Sequence, residues 1–142
     1  MRLISLVTVL AAMAGCATDD APPGDDFLDL SSSSGLGGRG DGVTLHIEQT
    51  GRMIRTRVGE ETKTVSLSSS TMALLRTQAD AAQLPRLDPR YQDPQVADDI
   101  FYRVTAQLAD GTFSVETDLE KNTPPNLGAL VSHLRALSDP YR

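Results

Sequence analysis

The sequence predicts an α+β domain over residues 42–142: a small antiparallel sheet, in the order βββ-α-ββ-α, with helices packed on one face. Three observations predict it. Ile100, Tyr102, Val104, Ala106 and Leu108 alternate with Phe101, Arg103, Thr105 and Gln107, and Asp110-Gly111 follows, a pair that accepts the positive φ angles of a hairpin turn. Leu127, Leu130, Val131, Leu134 and Leu137 recur at helical spacing and form an apolar stripe. Strand patterns come in runs and do not alternate one by one with helical patterns, which favours antiparallel pairing over parallel βαβ units.

Taken in order, Val43, Leu45 and Ile47 alternate with Thr44, His46 and Glu48, the period of a half-buried strand. Thr50-Gly51 marks a turn. A second strand over residues 52–58 has Ile54, Thr56 and Val58 on one side and Met53, Arg55 and Arg57 on the other. Gly59-Glu60 turns the chain again, and residues 62–67 add a third short strand through Val65 and Leu67. Ser68, Ser69 and Ser70 offer N-cap hydroxyls for a helix whose apolar face is Met72, Leu75, Ala79 and Ala82, ending near Pro85. Residues 85–99 hold Pro85, Pro89 and Pro94 among polar residues and read as an irregular exposed crossing, the kind of loop where binding residues sit. After the hairpin, with Phe113, Val115 and Thr117 on its return strand, Thr123-Pro124-Pro125 supplies an N-cap and a first-turn proline for the last helix, and Asp139-Pro140 ends it.

The start of the chain is an address. Met1-Arg2 gives one positive charge, and residues 3–12 are an uncharged apolar run, about half of the roughly 20 residues that a membrane-spanning helix needs. Met13-Ala14-Gly15-Cys16 closes it with two small residues before the only cysteine. This resembles the lipobox of bacterial lipoproteins, with Met13 where Leu is commonest. The resemblance implies cleavage between Gly15 and Cys16 and acylation of Cys16, which becomes the new N-terminus; two or three acyl chains anchor a protein durably where one does not. Ala17 after the cysteine favours the outer membrane by the same resemblance, facing the periplasm or the cell surface. The rival is ordinary cleavage after Ala12-Met13-Ala14, for which such a signal is short.

Residues 16–41 read as the lipidated cysteine and a disordered tether. They contain two prolines, five glycines, four consecutive serines from Ser31 and six of the chain's nineteen acids. Phe27-Leu28 with Leu30 is the one apolar element, taken as a chance cluster. Gly35-Leu36-Gly37-Gly38-Arg39-Gly40 satisfies G-x-G-x-x-G but has serines before it and a strand pattern after it, the wrong context for a dinucleotide loop. Arg39-Gly40-Asp41 is read as coincidence.

The chain has 142 residues and a net charge of −6, with one Cys and two His. Acidity argues against nucleic acid as a partner. The Cys and His count excludes a Cys/His zinc site, a Cys-x-x-Cys pair and an intramolecular disulfide. His46 and His133 read as solvent-facing, no Gly-x-Ser-x-Gly elbow is present, and the expectation is a non-enzyme without cofactor or metal. Asp93, Asp98 and Asp99 could meet a hard cation but lack the spacing of an EF-hand and read as solvating acids. Arg52, Arg55 and Arg57 concentrate positive charge on one strand; they could meet an acidic partner or lipid headgroups, or pair with Glu48 or Glu61.

Over residues 43–137 the running order also resembles the emfourin family, small bacterial inhibitors of thermolysin-like zinc peptidases. The residues that carry this are the strand and turn from Ile47 to Arg57, Leu84-Pro85, Asp99-Ile100-Phe101-Tyr102-Arg103-Val104, Val115, and Pro124-Pro125 followed by Leu127, Leu130 and Leu134. The family's Gly-Gly-Phe-x-Gly type of turn is reduced here to Thr50-Gly51-Arg52-Met53, and no inhibitory residue is carried over. The resemblance implies an α+β fold and peptidase inhibition; independently of it, the long exposed loop at residues 85–99 is the segment expected to occlude a partner's cleft. The expected function is thus a lipid-anchored envelope protein presenting a protein-interaction module, with inhibition of a secreted metallopeptidase as its candidate activity; the alternative is a structural envelope lipoprotein.

Overall fold

The computed structural model describes residues 25–34, 42–95 and 100–139. The strands are β1 (Asp26–Ser34), β2 (Val43–Glu48), β3 (Arg52–Arg57), β4 (Lys63–Ser66), β5 (Arg90–Tyr91), β6 (Ile100–Leu108) and β7 (Gly111–Thr117). The helices are α1 (Ser69–Ala82) and α2 (Pro125–Ser138), with a 3-10 turn at Leu84–Arg86. The protein is α+β, as expected, but its sheet is not small and not wholly antiparallel. It has seven strands in the order β4-β3-β2-β1-β6-β7-β5, and β5 pairs parallel to β7.

The larger correction concerns residues 26–34, which read in sequence as part of the tether. They form the central strand, β1, paired antiparallel with β2 on one side and β6 on the other. Leu28 lies opposite Ile47 and Ala106, and Leu30 opposite Leu45 and Val104. A register irregularity between Asp26 and Leu28 lets the consecutive pair Phe27-Leu28 both turn inward, so Phe27, Leu28 and Leu30 are all buried. The apolar cluster is therefore core. The strand looks like a linker in sequence because only its first half crosses the core; its second half is serine, held by backbone pairing to β6, with β2 beside it only as far as Ser31.

The second correction lies in residues 85–99. They are not a free crossing where they are described: Pro89 O accepts from Glu116 N at 2.9 Å and Tyr91 O from Asp118 N at 3.3 Å, which makes the short β5 edge.

Both helices cover one face of the sheet. Leu28, Leu30, Leu45, Ile47, Val104, Ala106 and Val115 meet Leu75, Ala79, Leu127, Leu130, Val131 and Leu134 in a single buried cluster. On β3 it is Met53, Arg55 and Arg57 that share this face, opposite Ile47, Leu45 and Val43. Ser68 caps α1 by accepting from Thr71 N at 3.1 Å. Thr123 does not cap α2; its hydroxyl bonds Thr117 Oγ1 at 2.6 Å, Pro124 occupies the cap position and Pro125 begins the helix. In the β6–β7 hairpin the turn residues are Ala109 and Asp110, and Gly111 opens β7 at φ +134° opposite Leu108.

The pairing defines two ends. Asp26 lies beside Glu48, the end of β2, and Leu28 near the end of β6. The last residues of β1 lie beside the first residues of those strands, Ser31 opposite Thr44 and Ser33 opposite Phe101. The chain thus enters at one end of the sheet, here the entry end, and the far end carries the starts of β2 and β6.

Candidate binding cleft

A cleft of about 310 Å³ opens at the far end, on the helix-covered face, where the last turns of α2 leave the sheet uncovered. Leu30 of β1, Val43 of β2 and Tyr102 of β6 form its floor. Ser132, Arg135 and Ala136 of α2 form one wall, and Arg57 and Asp139 stand at its rim. Each side chain is placed by a simple rule. Val43 and Arg57 are cross-strand partners, so the last residue of β3 falls on the face that begins at β2. Arg135 follows Leu134 of the buried stripe and so stands one step round the helix from it; its guanidinium lies 4.7 Å from the centre of the Tyr102 ring, a cation–π contact that fixes it over the floor.

The cleft is electropositive on one flank. Glu60, beyond the β3–β4 turn, bridges two guanidiniums: Arg57 Nη1 at 3.3 Å and Arg55 Nη1 at 3.2 Å. The hydrogen bond from Arg57 is the largest influence and lowers its carboxyl below the usual glutamate value; burial opposes it, and the Arg55 hydrogen bond and the charges of both arginines keep the net effect downward. Arg55 is only 5% exposed, and its buried Nε has no hydrogen-bond partner among the described residues. Chemically, the flank is a pair of guanidiniums sharing one exchangeable carboxylate.

Of the arginine triplet predicted as a charge concentration, Arg52 goes elsewhere. It meets Glu48 Oε1 at 3.4 Å at the entry end, as expected, while Arg55 and Arg57 pair with Glu60 and not Glu61. The two histidines are not simply solvent-facing. His46 lies on the open face of the sheet with Nδ1 2.5 Å from Asp29 Oδ1 and Nε2 3.2 Å from Asp26 Oδ1; both contacts are hydrogen bonds only when both ring nitrogens carry protons. His133 is half-buried between the helices, with Nδ1 2.7 Å from Gln78 Oε1.

Asp93 is buried, which corrects its reading as a solvating acid. Its Oδ2 meets Lys121 Nζ at 3.0 Å, its Oδ1 accepts from Gln95 N at 3.1 Å, and its own N–H donates to Asp118 Oδ2 at 2.5 Å. The Gln95 N–H first, and Lys121 second, hold the Asp93 carboxyl below its usual value. These bonds latch residues 92–95 to the β7–α2 connection. Among the described residues, no group of three or more His, Cys, Asp or Glu could hold a metal ion.

Gly15 and Cys16, the lipobox residues before them, the glycine-rich segment from Gly35 to Gly40, the Arg39-Gly40-Asp41 triplet, Asp98 and Asp99 lie outside the described residues. No helix among the described residues is long and apolar enough to cross a membrane. No family model matches the chain, and a search of curated proteins finds no match either.

The sequence reading found Arg57 but missed Arg135, Tyr102 and Ser132. Arg135 belongs to a helix whose dominant sequence signal is its apolar stripe, and nothing local ties it to Tyr102 on β6. The available signal was negative: α2 carries an arginine in its last turn beside its own stripe, where a surface helix more often places charge on the opposite face.

Proposed function

We propose that the protein is a lipid-anchored envelope protein that presents its cleft away from the membrane as a binding module. The observation that carries this is the placement of the two ends. The described chain begins at Asp25, at the entry end, whereas the cleft opens at the far end. Only residues 17–24 separate Cys16 from Asp25, and a chain spans at most about 3.6 Å per residue, so an acylated Cys16 keeps the entry end within roughly 30 Å of the bilayer. That is a much shorter leash than a tether running to residue 41. Metabolic labelling with a fatty-acid analogue tests the anchor. Label is expected on the wild type and lost in Cys16→Ser; equal labelling of the two ends this reading.

Peptidase inhibition is the finer form of the proposal. It is supported by the fixing of residues 84–95, whose backbone is bonded to β7 and whose Asp93 is latched, because a preorganised segment loses little entropy on entering a cleft. The full chain is expected to slow a thermolysin-like peptidase, and no slowing of any such enzyme at micromolar protein removes this form while leaving the anchored module.

A further inference from the structure

We propose that the cleft binds the C-terminal carboxylate of a peptide whose last side chain is apolar. The proposal rests on the reading of the protein as a binding module and names what that module takes. The cleft is lined by two guanidiniums, Arg57 and Arg135, against one carboxylate, Asp139, so an incoming anion meets a local surplus of positive charge; behind Arg57, the buried Arg55 shares Glu60 with it. The guanidiniums already bind a carboxylate: Glu60 occupies Arg57 and Arg55 at 3.2–3.3 Å. Glu60 is 42% exposed and Arg57 39%, so this pair can exchange with an external carboxylate at little cost. Arg135 lines the same cleft, held over the floor by Tyr102, and guanidiniums of this kind bind a carboxylate by planar, charge-assisted hydrogen bonds.

The rest of the lining selects the kind of carboxylate. Leu30 and Val43 offer apolar surface for one side chain, and the Ser132 hydroxyl beside them suits amide groups. A long acyl chain would leave such polar groups without partners, whereas a peptide end satisfies them. Capture of a chain terminus in a polar recess with an adjoining apolar site is a recurring mode of recognition.

The experiment uses the full acylated chain in detergent micelles and a fluorescent hexapeptide ending in leucine, as the free acid and as the C-terminal amide, read by anisotropy. The acid is expected to bind saturably and the amide at least tenfold more weakly. Arg135→Gln and Arg57→Gln each lose tenfold or more for the acid and abolish the acid–amide difference. Glu60→Gln tightens binding by removing the resident competitor. Ala136→Phe fills the cleft and prevents binding while leaving every charge in place; thermal unfolding of each variant confirms that it is folded. Equal binding of acid and amide, no saturable binding of the acid, or unchanged affinity in folded Ala136→Phe overturns the proposal, and so does dodecanoate binding that excludes the peptide. Its failure is separable from that of the module reading. A partner recovered from membranes equally by wild type and Ala136→Phe sinks the cleft proposal alone, and peptide binding without Cys16 labelling sinks the anchor alone.

Discussion

Replacing Leu28 by alanine is the sharpest test of the central strand. Leu28 is fully buried and sits opposite Ile47 and Ala106, with a strand on either side of it. The substitution removes three carbon groups' worth of apolar contact, about 2.4 kcal/mol at roughly 0.8 kcal/mol each. The site cannot collapse, because β1 is hydrogen-bonded on both sides, so a cavity contribution adds to this. A loss of ~3–4 kcal/mol is expected, within the range of about 2–5 for buried leucines. With a slope of ~1.5 kcal/mol per molar urea for a small domain, the unfolding midpoint falls by roughly 2–3 M. Urea unfolding of residues 17–142, followed by circular dichroism, measures it. Leu74→Ala serves as control, since Leu74 is 49% exposed, and a loss of about 1 kcal/mol or less is expected there. If the two variants lose equal stability, residues 26–34 are not the middle of the sheet and the reasoning is refuted.

Three further outcomes follow from the same structure. Gly51 and Gly59 both have positive φ, +88° and +82°, but an added Cβ at Gly51 would lie 3.3 Å from Leu67 O and from Met72 Cγ, whereas at Gly59 it meets nothing within 4 Å. Gly59→Ala is expected to cost about 1–2 kcal/mol from backbone strain alone, and Gly51→Ala clearly more; equal losses in thermal unfolding would contradict the packing of α1 on this turn. Glu60 and Asp93 have folded carboxyls held below their ordinary values of 4.5 and 3.8, so their stabilisation is full above those values and drains away as the pH falls through the lower folded ones. Asp93→Asn should flatten stability against pH below about pH 4; an unchanged slope in acid denaturation counts against the latch. Arg55→Met should leave thermal stability unchanged or raised, because it removes a buried Nε without a partner while Arg57 still holds Glu60; a marked drop would mean that Arg55 is a structural pair and not a strained one.

How much of this was legible in the sequence depended on whether the determining contacts were local. The β6–β7 hairpin, the two amphipathic helices and the β2–β3–β4 meander all rest on periodicity and turn chemistry within about twenty residues, and they appear where periodicity puts them. Even there the turn moved by one residue, to Ala109-Asp110, with Gly111 supplying the positive φ from the start of the strand. β1 was hidden because its strand character comes from partners, one of them far along the chain, and its serines give no apolar alternation where they border the cleft. The same holds for the parallel edge at β5, which is two residues long and exists through bonds from Glu116 and Asp118. The cleft was half legible: Arg57 is visible as charge on a strand, but its sharing of a cleft with Arg135 and Tyr102 is set by where α2 crosses the sheet, which no local pattern encodes.

The double pairing of β1 also has a mechanical meaning. Force applied to the segment before Asp25 enters the fold along the axis of its middle strand, so the hydrogen bonds to β2 and β6 are loaded side by side in shear and cannot be opened one after another like a zipper. A strand at either edge, such as the four-residue β4, would peel instead. Loaded between its entry end and its far end, the sheet resists along its strongest direction.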